Sequence, residues 1–261
     1  MPYLSRITLF PVKSFDGVDV DRAQISTGGA LVGDRTYAFF SNDGKFINGK
    51  RTPLIHRIRA SYDLANRSIT VQVPEQPQSS TFSLEDDRLG FEDWLSRYLS
   101  LPAQLAKNEK IGFPDDTKAS GPTVVSVGTI AAVSNWFQDL DPQEISRRFR
   151  TNLEISDVPP FWEEQLYGKP DQAIHFQIGN VTIQGINPCQ RCIVPTRDSQ
   201  TGAAYPQFQK LFNQKRQATL PPWTESSRFN HFYKLTVNTY ISPQEAGKHL
   251  QVGDTVQMQA S

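Results

Sequence analysis

The sequence predicts a mainly β, α+β protein: β-barrel-like units carrying a few added helices. Three observations point there. Short runs of alternating apolar and polar residues recur along the chain, turn residues such as Gly179-Asn180 separate them, and only a few stretches show helical spacing. The 261 residues suffice for one large domain or two small ones sharing an interface.

Taken in order, residues 3–9 alternate as a strand, and residues 18–25 do so before a turn at Gly28-Gly29. Residues 36–40 are a bulky β run, and Asn42-Asp43-Gly44 is a hairpin turn from which residues 45–47 begin the return strand. Residues 67–73 alternate again. Residues 74–80, rich in Pro, Gln and Ser, read as a loop. Residues 88–99 space Leu89, Trp94, Leu95, Tyr98 and Leu99 as one face of a helix. Residues 107–122 hold few apolar positions and read as a boundary or shared loop between segments 1–110 and 111–261.

Beyond it, residues 123–127 are an apolar strand, followed by a helix from about Thr129 to Phe137. Asp141-Pro142 opens a further helix, with an N-cap aspartate, proline in the first turn and Glu144 three residues after the cap. Residues 151–155 read as a strand, and residues 175–178 and 181–184 as a hairpin around Gly179-Asn180. Residues 207–217 place Phe208, Leu211 and Phe212 on one helical face. Residues 233–240 alternate, and residues 250–258 form a last strand pair about Gly253-Asp254.

Composition narrows the function. Lys plus Arg total 27 and Asp plus Glu total 27, so no basic excess marks a nucleic-acid or anionic-membrane binder, although a local basic pocket remains open. The start, MPYLSRITLF, lacks a signal-peptide core, and no stretch approaches the roughly 20 apolar residues of a membrane span. A cytoplasmic protein is expected. The two cysteines, Cys189 and Cys192, cannot make a disulfide framework and fall short of the four that ligate an iron–sulfur cluster. Electrons for any redox chemistry must therefore come from outside.

The most informative segment is residues 187–202, NPCQRCIVPTRDSQTG. A soft thiolate suits molybdenum or another thiophilic metal, and one thiolate completes a centre whose other ligands belong to a cofactor. Arg191, next to Cys192, is placed to favour its thiolate form. Zinc is disfavoured because His56, His175, His231 and His249 are scattered, and a thioredoxin-like pair because Pro195 and Gly202 break the helix it needs. Two inert buried cysteines remain an open reading of the residues alone.

The segment resembles the signature loop of the MOSC domain, the molybdenum-cofactor sulfurase C-terminal domain. The branch in question holds the mitochondrial amidoxime reducing component and its bacterial relatives. Arg191, Cys192, Ile193, Thr196, Asp198, Thr201 and Gly202 match its pattern, while Pro195 stands for a threonine and Gln200 for an acid. FPVKSFDG (10–17), GDRTY (33–37), NGKRTP (48–53), RFRTN (148–152) and QVGDTV (251–256) resemble further family elements, in order along nearly the whole chain. The resemblance implies an N-terminal β-barrel-like MOSC_N domain over 1–110 packed on a MOSC β-barrel domain over 111–261. It also implies a molybdenum–molybdopterin cofactor ligated by Cys192 and reduction of N-hydroxylated or N-oxide substrates.

It further implies that Lys13, Ser14, Arg35, Arg150 and Asn152 contact the cofactor, with Arg191 beside them; Ser120, in the loop before a strand, is a weaker candidate. Each has a plainer reading: a solvated surface charge for Lys13 or Arg150, a turn cap for Asn152. Asp198 is either a proton-handling carboxylate beside the metal or the holder of an Asx turn. Cys189 is not expected to be a ligand. The implied partners are a ferredoxin-like or b-type cytochrome donor with its reductase and a small N-hydroxylated compound. The rival reading is a cofactor or sulfur carrier without turnover.

Overall fold

The computed structural model describes residues 1–258 and contains one eight-stranded sheet, three small sheets and four α-helices. The first strands are β1 (Tyr3–Leu9), β2 (Val18–Val20), β3 (Arg22–Gln24) and β4 (Tyr37–Phe40). The meander β5 (Arg59–Asp63), β6 (Ser68–Val73) and β7 (Gln76–Ser83) leads to α1 (Arg88–Leu99) and β8 (Gln104–Lys107). After a long loop come β9 (Val124–Ser126), α2 (Val127–Ser134), α3 (Pro142–Phe149) and β10 (Leu153–Ser156). The remainder is β11 (Ile174–Ile178), β12 (Val181–Gln190), α4 (Phe208–Ala218), β13 (Lys234–Tyr240), β14 (His249–Gln251) and β15 (Val256–Met258).

The large sheet runs β15-β11-β12-β13-β9-β10-β1-β2, with only β9 and β10 parallel. It curls until its last strand approaches its first: Leu4 N donates to Asp254 O at 2.8 Å, and Tyr3 bridges Thr255. It is not a fully hydrogen-bonded barrel, because β1 pairs along its length with β10 and β2 instead. Its inner face buries Leu4, Ile7, Ile155, Ile178 and Ile183 completely. A second core gathers Phe15, Phe39, Phe91 and Leu105 under α1 and β4. A third packs Phe149, Phe208 and Phe212 between α3 and α4. Each such phenylalanine contributes about 2–3 kcal/mol of apolar burial.

The local signals hold where they are strongest. Asp141 caps α3 through Glu144 N at 2.6 Å, with Pro142 in the first turn. Gly179, at φ +58°, turns the β11–β12 hairpin. Four expectations need correction. Residues 74–80 are largely strand: β7 is polar, and a Thr70–Thr81 hydroxyl pair at 2.8 Å supports its pairing with β6. Residues 18–25 split at Asp21 into β2 and β3, which enter different sheets. The helix expected from Thr129 starts at Val127, because the Ser126 side chain caps it through Thr129 N. Residues 250–258 do turn at Gly253, yet their arms do not pair: β14 joins β3, while β15 joins β11. Among the described residues no helix is long and apolar enough to cross a membrane.

Candidate functional site

Strands from both segments surround one cleft of about 1640 Å³. Its lining gathers thirteen lysines and arginines against five aspartates among the described residues, so a chain of zero net charge concentrates its positive charge here. Lys13, Ser14, Arg35, Ser120, Arg150, Asn152, Arg191 and Cys192 all line it. Three of them, Ser14 (φ +74°), Arg35 (φ +48°) and Arg150 (φ +52°), hold left-handed backbone, which costs about 1–3 kcal/mol each outside glycine.

Arg150 is buried with no hydrogen-bond or ion-pair partner for its charge among the described residues. As the left-handed C-cap of α3, it turns its guanidinium onto the Phe10 ring, 4.2 Å from the centroid. The guanidinium forms no hydrogen bond or ion pair among the described residues, and Nη2 is buried without a partner. Burial, reinforced by the neighbouring Arg35 charge, lowers its pKa to about 10. Arg35 lies over the same ring at 5.1 Å and pairs with Asp34.

Asn152 organises this corner without reaching beyond it. Its amide oxygen accepts from Arg35 Nη1 and from Thr123 N and Oγ1, each at 3.2 Å. Its amide nitrogen donates to Thr8 O at 3.0 Å and Asp34 Oδ1 at 3.1 Å. The side chain's capacity is spent inside the protein, so Asn152 orients Arg35 and Asp34. Lys13 is buried, and its Nζ donates to Phe113 O at 2.8 Å and pairs with Asp115 at 2.7 Å. Burial lowers the Lys13 pKa against the pull of Asp115. Burial works to raise the Asp115 pKa, but Lys13 and Lys50 override it and hold it low. Ser120 Oγ donates to Gly28 O at 3.2 Å.

Cys192 sits on the loop that leaves β12, and its Sγ takes part in no hydrogen bond among the described residues. Arg191 does not serve it. Its Nη1 donates to Cys189 Sγ at 3.1 Å and its Nη2 to Phe149 O at 2.5 Å, so the guanidinium is placed on the other thiol. Arg191 and Cys189 stand two residues apart where β12 ends, a spacing that sets their side chains on one face. Among the described residues no group of three or more His, Cys, Asp and Glu is gathered as for a metal.

Asp198 does not line the cleft. Its Oδ1 accepts from Gln200 N at 3.1 Å and from Thr201 N and Oγ1 at 2.8 Å, an Asx turn that shapes the loop. Burial tends to raise its pKa, but these bonds and Arg148 leave it lowered, the opposite of what a proton donor needs. Arg147 and Arg148 are not free helix-end charges: both pair with Glu144, whose carboxylate also accepts from Ser199 N at 3.0 Å and Ser199 Oγ at 2.6 Å.

Comparison with known proteins fits this arrangement. Residues 1–105 match the MOSC N-terminal beta barrel domain and residues 123–257 the MOSC domain. The chain belongs to the MOSC family. It is 26% identical to a zebrafish (Danio rerio) molybdenum cofactor sulfurase, over 76% of this chain and 28% of that protein. It is 23% identical to the zebrafish mitochondrial amidoxime-reducing component 1, over 76% of this chain and 70% of the relative. It is also 23% identical to the bovine (Bos taurus) mitochondrial amidoxime reducing component 2, over 76% and 67%. The chain thus spans little more than a quarter of the sulfurase and about two thirds of the reducing components.

The MOSC cleft also holds residues that the sequence did not single out. His56, Arg59, Arg197 and Asp115 all line it. Arg197 lies inside the cysteine segment, a visible signal. His56 and Arg59 come from a stretch whose spacing marks no chemistry.

Proposed function

We propose that this MOSC protein holds a molybdenum–molybdopterin cofactor in the cleft and reduces small N-hydroxylated or N-oxide compounds. Cys192 would be the protein ligand to molybdenum, and an external donor protein would supply the electrons. The observation that carries the reading is Arg150: a guanidinium with no protein partner, on the wall of a cleft that also exposes an unbonded thiol. Arginine is rarely left so, and a phosphate supplies the missing acceptors.

The residues fit such a group. Arg150 and Arg35 offer planar donors to a phosphate. Lys13, paired with Asp115 at 2.7 Å, adds a further cation to the same cleft. Cys192 is a soft donor held by a loop pinned at Ser199 and Gly202. When bound, the cofactor supplies two-electron oxygen-removal chemistry. The overall change is R–NHOH + 2 e⁻ + 2 H⁺ → R–NH₂ + H₂O. The protein's part is to bind, orient and keep the cleft cationic while two protons enter from solvent. A ferredoxin-like or b-type cytochrome donor with its reductase suits this need, in a cytoplasmic setting.

A second reading, a cofactor or sulfur carrier, draws on Cys189, a second sulfur in the same cleft, whose Sγ accepts from Arg191 Nη1 at 3.1 Å. Turnover separates the two. Protein from a cofactor-producing host is expected to contain molybdenum and pterin and to reduce an amidoxime with an artificial reductant. Cys192→Ser is expected to lose the activity, a serine oxygen being the harder ligand. Bound pterin without turnover would favour the carrier, and wild-type activity in Cys192→Ser would remove that residue from the metal.

A further inference from the structure

The cleft offers more positive charge and more room than one phosphate-bearing cofactor uses. Its volume of about 1640 Å³ exceeds the roughly 300–1,000 Å³ of common small-molecule pockets. Beyond the Lys13, Arg35 and Arg150 set lie two further arginines and a histidine drawn from both family segments. His56 lies in the last part of a 3-10 turn (Pro53–Arg57), Arg59 opens β5, and Arg197 follows Cys192 by five residues.

These three are fastened to one another through backbone. Arg59 Nη2 donates to His56 O and, at 3.2 Å, to Ser199 O. Arg197 Nη1 donates to Gly202 O at 3.2 Å. Gly202 in turn packs on the His56 side chain: a Cβ built at Gly202 would stand 3.3 Å from His56 Cβ. Two acids approach the group. Asp16 lies 3.4 Å from Arg59 Nη1 and Glu144 is spent on Ser199, Arg147 and Arg148. Arg197 forms no ion pair among the described residues, and the Nε atoms of Arg59 and Arg197 are both buried without partners. His56 uses Nε2 on Gly49 O at 3.3 Å and has no hydrogen bond at Nδ1 among the described residues.

We infer that Arg197, positioned by Arg59 and the His56 segment, forms an oxyanion subsite on the substrate side of the cleft, selecting N-hydroxylated compounds that carry a carboxylate or phosphate. Arg197 is the contact residue, with a guanidinium that spends one donor on the protein. Arg59, half neutralised by Asp16, fixes the distance between His56 and the cysteine loop. Burial, together with Arg150, Arg197 and Arg59, holds the His56 pKa below its ordinary value, and its Nε2 donates to Gly49 O at 3.3 Å, so the neutral ring braces the subsite and offers the anion no donor. A bound anion gives the Arg197 guanidinium, which forms no ion pair among the described residues, a charge-assisted acceptor.

This inference rests on the reductase reading, and the experiment separates the two. Molybdenum-loaded protein is compared on benzamidoxime, 4-carboxybenzamidoxime and a 4-phosphonomethyl analogue, with calorimetric binding of all three measured beside turnover. The expected result is a preference for one or both anionic analogues of about tenfold in KM and in binding, with kcat little affected, the worth of one charge-assisted contact. The carboxylate and phosphonate arms identify which anion fits. Arg197→Gln is expected to lower the charged-to-neutral ratio of kcat/KM about tenfold, and Arg197→Lys to restore part of it. If the anionic analogues bind with Arg197 dependence but nothing is reduced, the subsite stands and the reductase reading falls. If benzamidoxime is reduced and the ratio is near unity, or is unmoved by Arg197→Gln, the subsite falls.

Discussion

At Arg150 the protein buries a charge without balancing it. Desolvating a guanidinium costs several kcal/mol, whereas its contact with Phe10 returns about 2 kcal/mol at most. A bound anion offsets the difference. Arg150→Met is therefore expected to leave the cofactor-free protein at least as stable as wild type while its molybdenum content falls by about tenfold or more, the loss of one charged contact. Thermal unfolding of the cofactor-free form beside metal analysis of the loaded form checks both. A lower Tm with molybdenum retained would make Arg150 a structural residue.

At the scale of the element, the cysteine loop is held from three sides. Asp198 closes its internal turn, Glu144 of α3 receives Ser199, and Gly202 lies against the segment at Pro53. Gly202 has φ +73°, and an added Cβ would stand 2.8 Å from the Pro53 carbonyl oxygen, which belongs to backbone and cannot swing aside. Gly202→Ala is expected to push the loop off that segment, costing about 1–3 kcal/mol from the left-handed strain alone. Molybdenum content should fall more than thermal stability; unchanged content would mean that the loop tolerates the shift.

Glu144 gives the same loop a pH dependence. Burial works to raise its pKa, but Ser199 and Arg148 overcome this and leave it lowered from its ordinary 4.5. A depressed folded pKa means that its stabilisation is full above 4.5 and fades as pH falls through the folded value. Glu144→Gln is expected to be less stable at pH 7 by roughly 1–3 kcal/mol, since Arg147 loses its acid and Arg148 keeps only Asp198, at 3.7 Å. It should also lose less further stability between about pH 5 and pH 3 than wild type does. Urea unfolding across that range would show parallel curves for the two proteins if Glu144 carried none of the slope.

Over the whole molecule, the two family segments are laced together. Strands β1 and β2, from the first segment, lie in the sheet otherwise built by the second, and β14, near the end of the chain, pairs with β3. The large cleft opens along this seam. Unfolding is expected as one cooperative transition. In Trp94→Phe the remaining tryptophans, Trp136, Trp162 and Trp223, all follow residue 111, so fluorescence reports the second segment while far-ultraviolet circular dichroism reports both. Coincident urea curves are expected; two separated transitions would show that the lacing does not couple the segments.

The α3 cap at Asp141-Pro142, the Gly179 turn and the cysteine segment were legible in the sequence by itself, because each rests on neighbours a few residues apart. The strand-rich class and the family were legible for the same reason. Tertiary structure decided the rest. It set Arg191 on Cys189 rather than Cys192, turned Asp198 into a loop brace, and spent Asn152 on Arg35. It also brought His56, Arg59 and Arg197 to one wall and sent the two arms after Leu250 to different sheets. A side chain's hydrogen bonds are settled by whichever partners burial brings near it, and those partners lie far along the chain, 140 residues away in the Arg59–Ser199 contact. Local periodicity carries no record of such distances, so the chemistry was visible in the chain while its arrangement was not.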